Sequence, residues 1–158
     1  MYRKSLDIKT RIYGGDNHPD VAESYNNIGN VYDRQGKYEE ALEYYQKSLD
    51  IRIRVVSDHP DVAASYNNIA NIYQTQGKYE KALEVYTKSL DIMTRIYGGD
   101  NHPDVARSKY NIAGLKKTQG DLEGARRLFL ECEQIYLKAY GPDHSETVDA
   151  ARQASRCV

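Results

Sequence analysis

Residues 18–54 read HPDVAESYNNIGNVYDRQGKYEEALEYYQKSLDIRIR, and residues 59–95 read HPDVAASYNNIANIYQTQGKYEKALEVYTKSLDIMTR. Of these 37 aligned positions 27 are identical, which points to internal duplication. The opening histidine recurs at His102, and a worn copy, Asp143-His144-Ser145-Glu146-Thr147, follows. The histidine spacings are 41, 43 and 42 residues. A fixed period of this length is the mark of stacked supersecondary units, each unable to bury its apolar face alone.

Each unit carries its own punctuation. All four prolines, Pro19, Pro60, Pro103 and Pro142, fall at the junctions. Proline lacks an N–H and presets φ, so it suits a first helical turn and fails inside a helix. Asp20, Asp61 and Asp104 come next, where a carboxylate meets the positive end of a helix dipole. Gly14, Gly15, Gly98, Gly99 and Gly141 lie just upstream, where a preceding helix must stop. A second break falls mid-unit, at Gln35-Gly36-Lys37-Tyr38, Gln76-Gly77-Lys78-Tyr79 and Gln119-Gly120-Asp121-Leu122. Each unit therefore predicts helix, tight turn, helix.

Apolar positions step by three and four, placing them on one helical face. In the first unit these are Val21, Tyr25, Ile28 and Tyr32, then Tyr38, Ala41, Leu42, Tyr45 and Leu49. Small residues recur at fixed places: Gly29, Ala70 and Ala113 in the first helices, Ala41, Ala82 and Ala125 in the second. They let two backbones approach, with tyrosine rings filling the space around them.

Composition removes several classes of function. Among 158 residues, 22 basic and 23 acidic side chains leave a net charge of −1, so there is no polycationic surface for nucleic acid. No apolar run nears the roughly 18 residues of a membrane span, and the first residues show no secretory signal. Two cysteines, Cys132 and Cys157, are too few for a disulfide framework and fit a reducing, cytoplasmic setting. Tyrosine is abundant at 15, against one Phe and no Trp.

Gly29, Tyr32, Gly36, Tyr38, Ala41, Tyr45 and Ser48 resemble the signature of a tetratricopeptide repeat. The longer unit, with Asp-His-Pro-Asp-Val-Ala, Tyr-Asn-Asn-Ile and Gln-Gly-Lys-Tyr, is similar to the kinesin-light-chain type. The resemblance covers essentially the whole chain. It implies an all-α fold, a right-handed superhelical α-solenoid of helix-turn-helix repeats with a concave face. Residues 2–13 match 86–97 at 10 of 12 positions, so the expected order is a trailing second helix at 1–13, repeats at 18–55, 59–97 and 102–140, and a capping half repeat at 143–158. That makes eight helices. Opening inside a repeat also suggests a piece of a longer array.

In such a stack the first helices line the concave side. Their free positions include Asn26, Asn30 and Arg34 in the first unit, Asn67, Asn71 and Gln74 in the second, and Arg107, Tyr110 and Lys117 in the third. The i, i+4 asparagine pairs recur 41 residues apart, so stacking predicts an asparagine ladder. An amide both donates and accepts, and can hold the backbone of an extended peptide without reading its side chains. Asparagine is a poor helix former, so four on one face call for a reason; a solvated face copied by duplication is the alternative. Arg34, Arg107, Lys117, Arg152 and Arg156 outnumber Glu23, Asp33 and Asp149 on this face, and kinesin-light-chain repeats are known for taking acidic cargo peptides. The expectation is a non-enzymatic scaffold or adaptor binding an extended peptide, acidic in its preferred form. In unit three Ser108-Lys109-Tyr110-Asn111-Ile112 breaks the ladder, and Lys116 replaces Tyr32 and Tyr73.

The alternative function is structural, a spacer or a self-associating array. Its motive is an opening half repeat carrying Leu6, Ile8 and Ile12, uncovered unless another chain packs there, so the expected state is a monomer or a weak head-to-tail self-association. The four histidines sit at matching places in separate units and predict junction packing or capping, not zinc. Cys132 aligns with Ser48 and Ser89, a buried position suited to an inert thiol, while Cys157 is expected to be terminal and open to oxidation. Asn27 and Asn68, one step round the helix, predict inter-helix or loop hydrogen bonding. No phosphate loop or nucleophile motif appears, so no enzyme activity, cofactor, nucleic acid or membrane partner is expected.

Overall fold

The computed structural model describes residues 9–13, 15 and 17–158. Residues 9–12 are helical. Seven helices follow: α1 Pro19–Arg34, α2 Tyr38–Val56, α3 Pro60–Thr75, α4 Tyr79–Tyr97, α5 Pro103–Thr118, α6 Leu122–Tyr140 and α7 Ser145–Ser155. Among the described residues there is no strand. Each first helix packs on the second helix that follows it, and each second helix packs on the next first helix. The chain is an α-solenoid, with every helix pair leaning on its neighbours along the stack.

The histidines are the helix caps. His18, His59 and His102 accept the backbone N–H of Asp20, Asp61 and Asp104 on Nδ1, at 3.2, 3.2 and 3.1 Å. Such a cap satisfies one of the four orphan donors of a helix start. Proline occupies the first helical position directly after each of them. His18 and His102 also stack flat on Tyr13 and Tyr97, with ring centroids 3.5 Å apart. Their tyrosine hydroxyls donate to Asp20 and Asp104 at 2.6 and 2.7 Å. The worn fourth junction differs. There Pro142 precedes the histidine and lies in the turn, and His144 makes no side-chain cap.

The mid-unit turns need glycine. Gly36, Gly77 and Gly120 sit at φ of 70°, 72° and 85°, the left-handed region that penalises a side chain. The next residue's N–H closes each turn back onto its helix, from Lys37 to the Tyr32 carbonyl, Lys78 to Tyr73 and Asp121 to Lys116. Second helices then cross first helices at the small residues. A methyl group on Gly29 would lie 2.7 Å from the Tyr45 ring. Tyr45, Tyr86 and Phe129 hold one equivalent position, each at most 2% exposed, and form the centre of each pair.

Ser89 Oγ donates to the Ala63 carbonyl at 3.0 Å, and Cys132 Sγ reaches the equivalent Ala106 carbonyl at 3.1 Å. Burial pushes the Cys132 thiol up to about 12, so the thiolate needed for reactivity is scarce at neutral pH. Cys157 departs from expectation. It is 3% exposed, packs with Ala154 and Phe129, and its Sγ meets the Gln153 carbonyl at 3.2 Å. The turn after α7 sets Cys157 in a cluster with Ala113, Ala125 and Phe129, which covers a thiol that the sequence places near the end.

Candidate functional site

The first helices α1, α3, α5 and α7 share one face, tied at two of its three seams. Asn68 Nδ2 donates to Asn26 Oδ1 at 2.9 Å, from α3 to α1. From α5 to α7, the Tyr110 hydroxyl donates to Asp149, and Lys117 Nζ donates to Gln153 Oε1 at 3.0 Å. Between α3 and α5 the buried Asn67 Oδ1 has no hydrogen-bond partner among the described residues.

The asparagines carry internal loads that the sequence pattern does not reveal. The Tyr45 hydroxyl, rising from α2, donates to Asn30 Oδ1 at 2.8 Å. One unit on, the Tyr86 hydroxyl meets Asn71 Oδ1 and lies 3.0 Å from Gln74 Oε1. A hydroxyl has one proton, so one of these two amides turns its NH2 toward the tyrosine oxygen. Burial pushes both tyrosines up to about 12. In the third unit tyrosine gives way to Phe129 and asparagine to Gly114. Donor and acceptor are lost together, as expected if Asn30 and Asn71 are there to satisfy a buried hydroxyl. The paired signal, Tyr with Asn fifteen residues upstream in two units and neither in the third, was present in the sequence.

Other predicted positions fall as follows. Arg34 is exposed at the end of α1. Arg107 is exposed but pairs with Asp104 at 2.9 Å on its own helix. Lys116, in place of a tyrosine, pairs with Asp121 at 2.7 Å. Charge is sorted across the face rather than along it. Asp20, Asp61, Asp104 and Glu146 mark the first turns, and Arg34, Lys116, Lys117 and Arg152 the last turns of α1, α5 and α7. With 16-residue helices the two rims stand roughly 24 Å apart at 1.5 Å per residue. Counting Asp104 and Glu146 offsets the basic excess read from the free positions alone. A cavity of about 320 Å³ opens on the acidic rim between α5 and α7, floored by Tyr136 of α6.

A sequence model of the tetratricopeptide repeat matches residues 1–54 and 61–138. The chain belongs to the tetratricopeptide repeat family. Repeats of this family generally mediate protein–protein interaction. Among solved structures the chain is similar to BtubC (BKLC) from P. vanneervenii, with a TM-score of 0.70 and 22% identity over 99% of this chain and 70% of that one. It is similar also to the nearly identical TPR-like repeats of a kinesin-light-chain-type chain from Podosopora anserina. There the TM-score is 0.74 and identity 23%, over 89% of this chain and 66% of that one. The first TPR of Spaghetti (RPAP3), bound to the HSP90 peptide SRMEEVD, matches with a TM-score of 0.59 and 18% identity, over 88% of this chain and 94% of that one. A search of the curated proteins returned no match. Among the described residues no helix is long and apolar enough to cross a membrane.

Proposed function

We propose that this chain is a cytoplasmic, non-enzymatic scaffold that holds an extended peptide on the concave face of its first helices. The observation that supports the reading is the amide row of Asn26, Asn30, Asn67 and Asn71, in which Asn67 Oδ1 is left without a partner among the described residues. Asn67 Oδ1 is buried, so the side chain must turn outward to accept a peptide N–H, a move that also relieves an unmet acceptor costing about 1–3 kcal/mol. Acidic side chains of the peptide meet the basic rim, at Arg34 and Lys117. The solved peptide complex of Spaghetti (RPAP3), whose peptide SRMEEVD carries Glu-Glu-Val-Asp, supports this class of ligand. Two free thiols, both buried, suit a reducing compartment.

A selection from a display library of random dodecapeptides tests the reading. Enriched peptides rich in Asp and Glu, weakened about tenfold by Asn67→Ala together with Lys117→Ala, are the expected result; tenfold is ~1.4 kcal/mol. No enrichment, or peptides whose affinity ignores both substitutions, overturns it.

One observation favours the self-associating alternative. Val148 of α7 is 41% exposed, whereas its counterparts Ala22, Ala63 and Ala106 are at most 1% exposed beneath their second helices. Ile12 is 70% exposed; Leu6 and Ile8 lie outside the described residues. Light scattering against concentration separates the two readings, since a monomer unaltered by Val148→Glu removes the array.

A further inference from the structure

We infer that the cavity between α5 and α7 is a subsite for an arginine side chain of the bound partner. It is lined by Arg107, Tyr110, Tyr136, Ser145, Glu146 and Asp149. The inference deepens the peptide-binding reading by naming the chemistry of one position on the acidic rim.

The repeats themselves supply the template. At the second junction Arg52 of α2 reaches the start of α3, where its guanidinium donates to the Asp61 carbonyl at 3.0 Å and the Ser65 hydroxyl at 2.7 Å. At the third junction the equivalent residue is Met93, and Arg107 brings a guanidinium to the first turn instead, 2.9 Å from Asp104. Each of these helix starts has an acidic residue and an arginine against it. The fourth start retains the acid, Glu146, but the residue corresponding to Arg52 is Tyr136. Among the described residues Glu146 faces His144 Nδ1 at 3.4 Å, an ion pair only when the histidine is protonated. Arg107 does not supply the missing cation, because Asp104 already holds it.

Tyr136 gives an independent sign. It is 3% exposed and forms a wall of the cavity, yet its hydroxyl makes no hydrogen bond among the described residues. That hydroxyl is not sealed from solvent; it opens on the cavity and can meet a ligand there. Asp149 accepts from Tyr110 and lies 3.8 Å from Arg152, and a carboxylate has room for further donors. The cavity therefore offers two carboxylates and an unpaired hydroxyl beside tyrosine rings, against one lining cation, Arg107, which Asp104 engages. A guanidinium, planar and many-donored, fits this set, and its apolar stem and cation both favour an aromatic wall. A carboxylate ligand would face Glu146 and Asp149 directly.

The experiment is an amide-resolved NMR titration of the whole chain with acetyl-Gly-Arg-Gly-amide at millimolar concentrations, with the citrulline and glutamate analogues as controls. Shifts centred on residues 107, 110, 136 and 145–149 are expected for the arginine peptide. Citrulline, or the Glu146→Gln variant, should weaken them by about fivefold, the upper end for a partly exposed ion pair. Glu146 is exposed, so this variant keeps the fold; Tyr136→Phe, which removes only the hydroxyl, is a second check expected to weaken binding. Equal affinity for citrulline, stronger binding of the glutamate peptide, or no shift at these residues overturns the inference. None of these results bears on the asparagine row, so failure here is distinct from failure of the library selection.

Discussion

Tyr45 and Tyr86 allow the packing between helices to be tested through pH. Each ring is 2% exposed, and burial is the main reason each hydroxyl is pushed up from 10.0 to about 12. In the unfolded chain the same groups lose their protons near pH ~10. Between these values the folded state holds more protons than the unfolded one, so stability falls as pH rises. The contribution of both tyrosines is fully present below pH 10 and is lost on the way to about 12. Two units at ~1.36 kcal/mol give roughly 2–3 kcal/mol per tyrosine and about 5 for the pair. That is comparable with the whole stability of a small domain, about 5–15 kcal/mol. Urea unfolding followed by circular dichroism, at about pH 9 and about pH 11.5, measures it in the wild type and in a Tyr45→Phe/Tyr86→Phe variant. Phe129 shows that phenylalanine fits this position. At the lower pH the variant should be weaker by about 1 kcal/mol per lost hydrogen bond. At the higher pH the gap should close or reverse, by roughly 3–4 kcal/mol. Parallel losses in the two proteins would refute the reasoning, because the alkaline loss would then come from other groups.

Further outcomes follow from single sites. His102→Ala should cost about 1 kcal/mol through the lost cap to Asp104, and His144→Ala much less, because His144 caps nothing; thermal unfolding compares them. Cys132 and Cys157 should resist a thiol reagent at pH 8 in the native chain and react together on unfolding in urea, since both are buried and burial raises the Cys132 thiol. Gly29→Ala should gain about 1 kcal/mol of helix propensity yet lose about 1–3 to the clash with Tyr45, for a net destabilisation seen in the urea midpoint. Asn68→Ala should cost about 1 kcal/mol through the lost bond to Asn26, while the equivalent change at Asn111, for which no such bond is seen, should cost less.

The repeat by itself determined the helix pairs, their turns and their stacking. Period and punctuation act locally, since proline, the turn glycines and the three-and-four spacing constrain the backbone wherever they stand. Helix boundaries at Pro19, Pro60 and Pro103 and the crossing at Gly29 could all be read this way. The partners of most polar side chains on the face could not. Asn30 and Asn71 look like free ladder amides in sequence, yet buried tyrosine hydroxyls engage them, because a second helix brings those hydroxyls up from below. Asn26 pairs with Asn68 rather than with its own counterpart Asn67, a register that only the packing of α1 against α3 sets. Arg107 looks like a binding cation until Asp104 is seen beside it, and Glu146 becomes notable only once Tyr136 stands where Arg52 stood. Backbone conformation follows from neighbours in sequence. Hydrogen-bond and charge pairing depends on neighbours in space, so the chemistry of the binding face was decided by the tertiary structure.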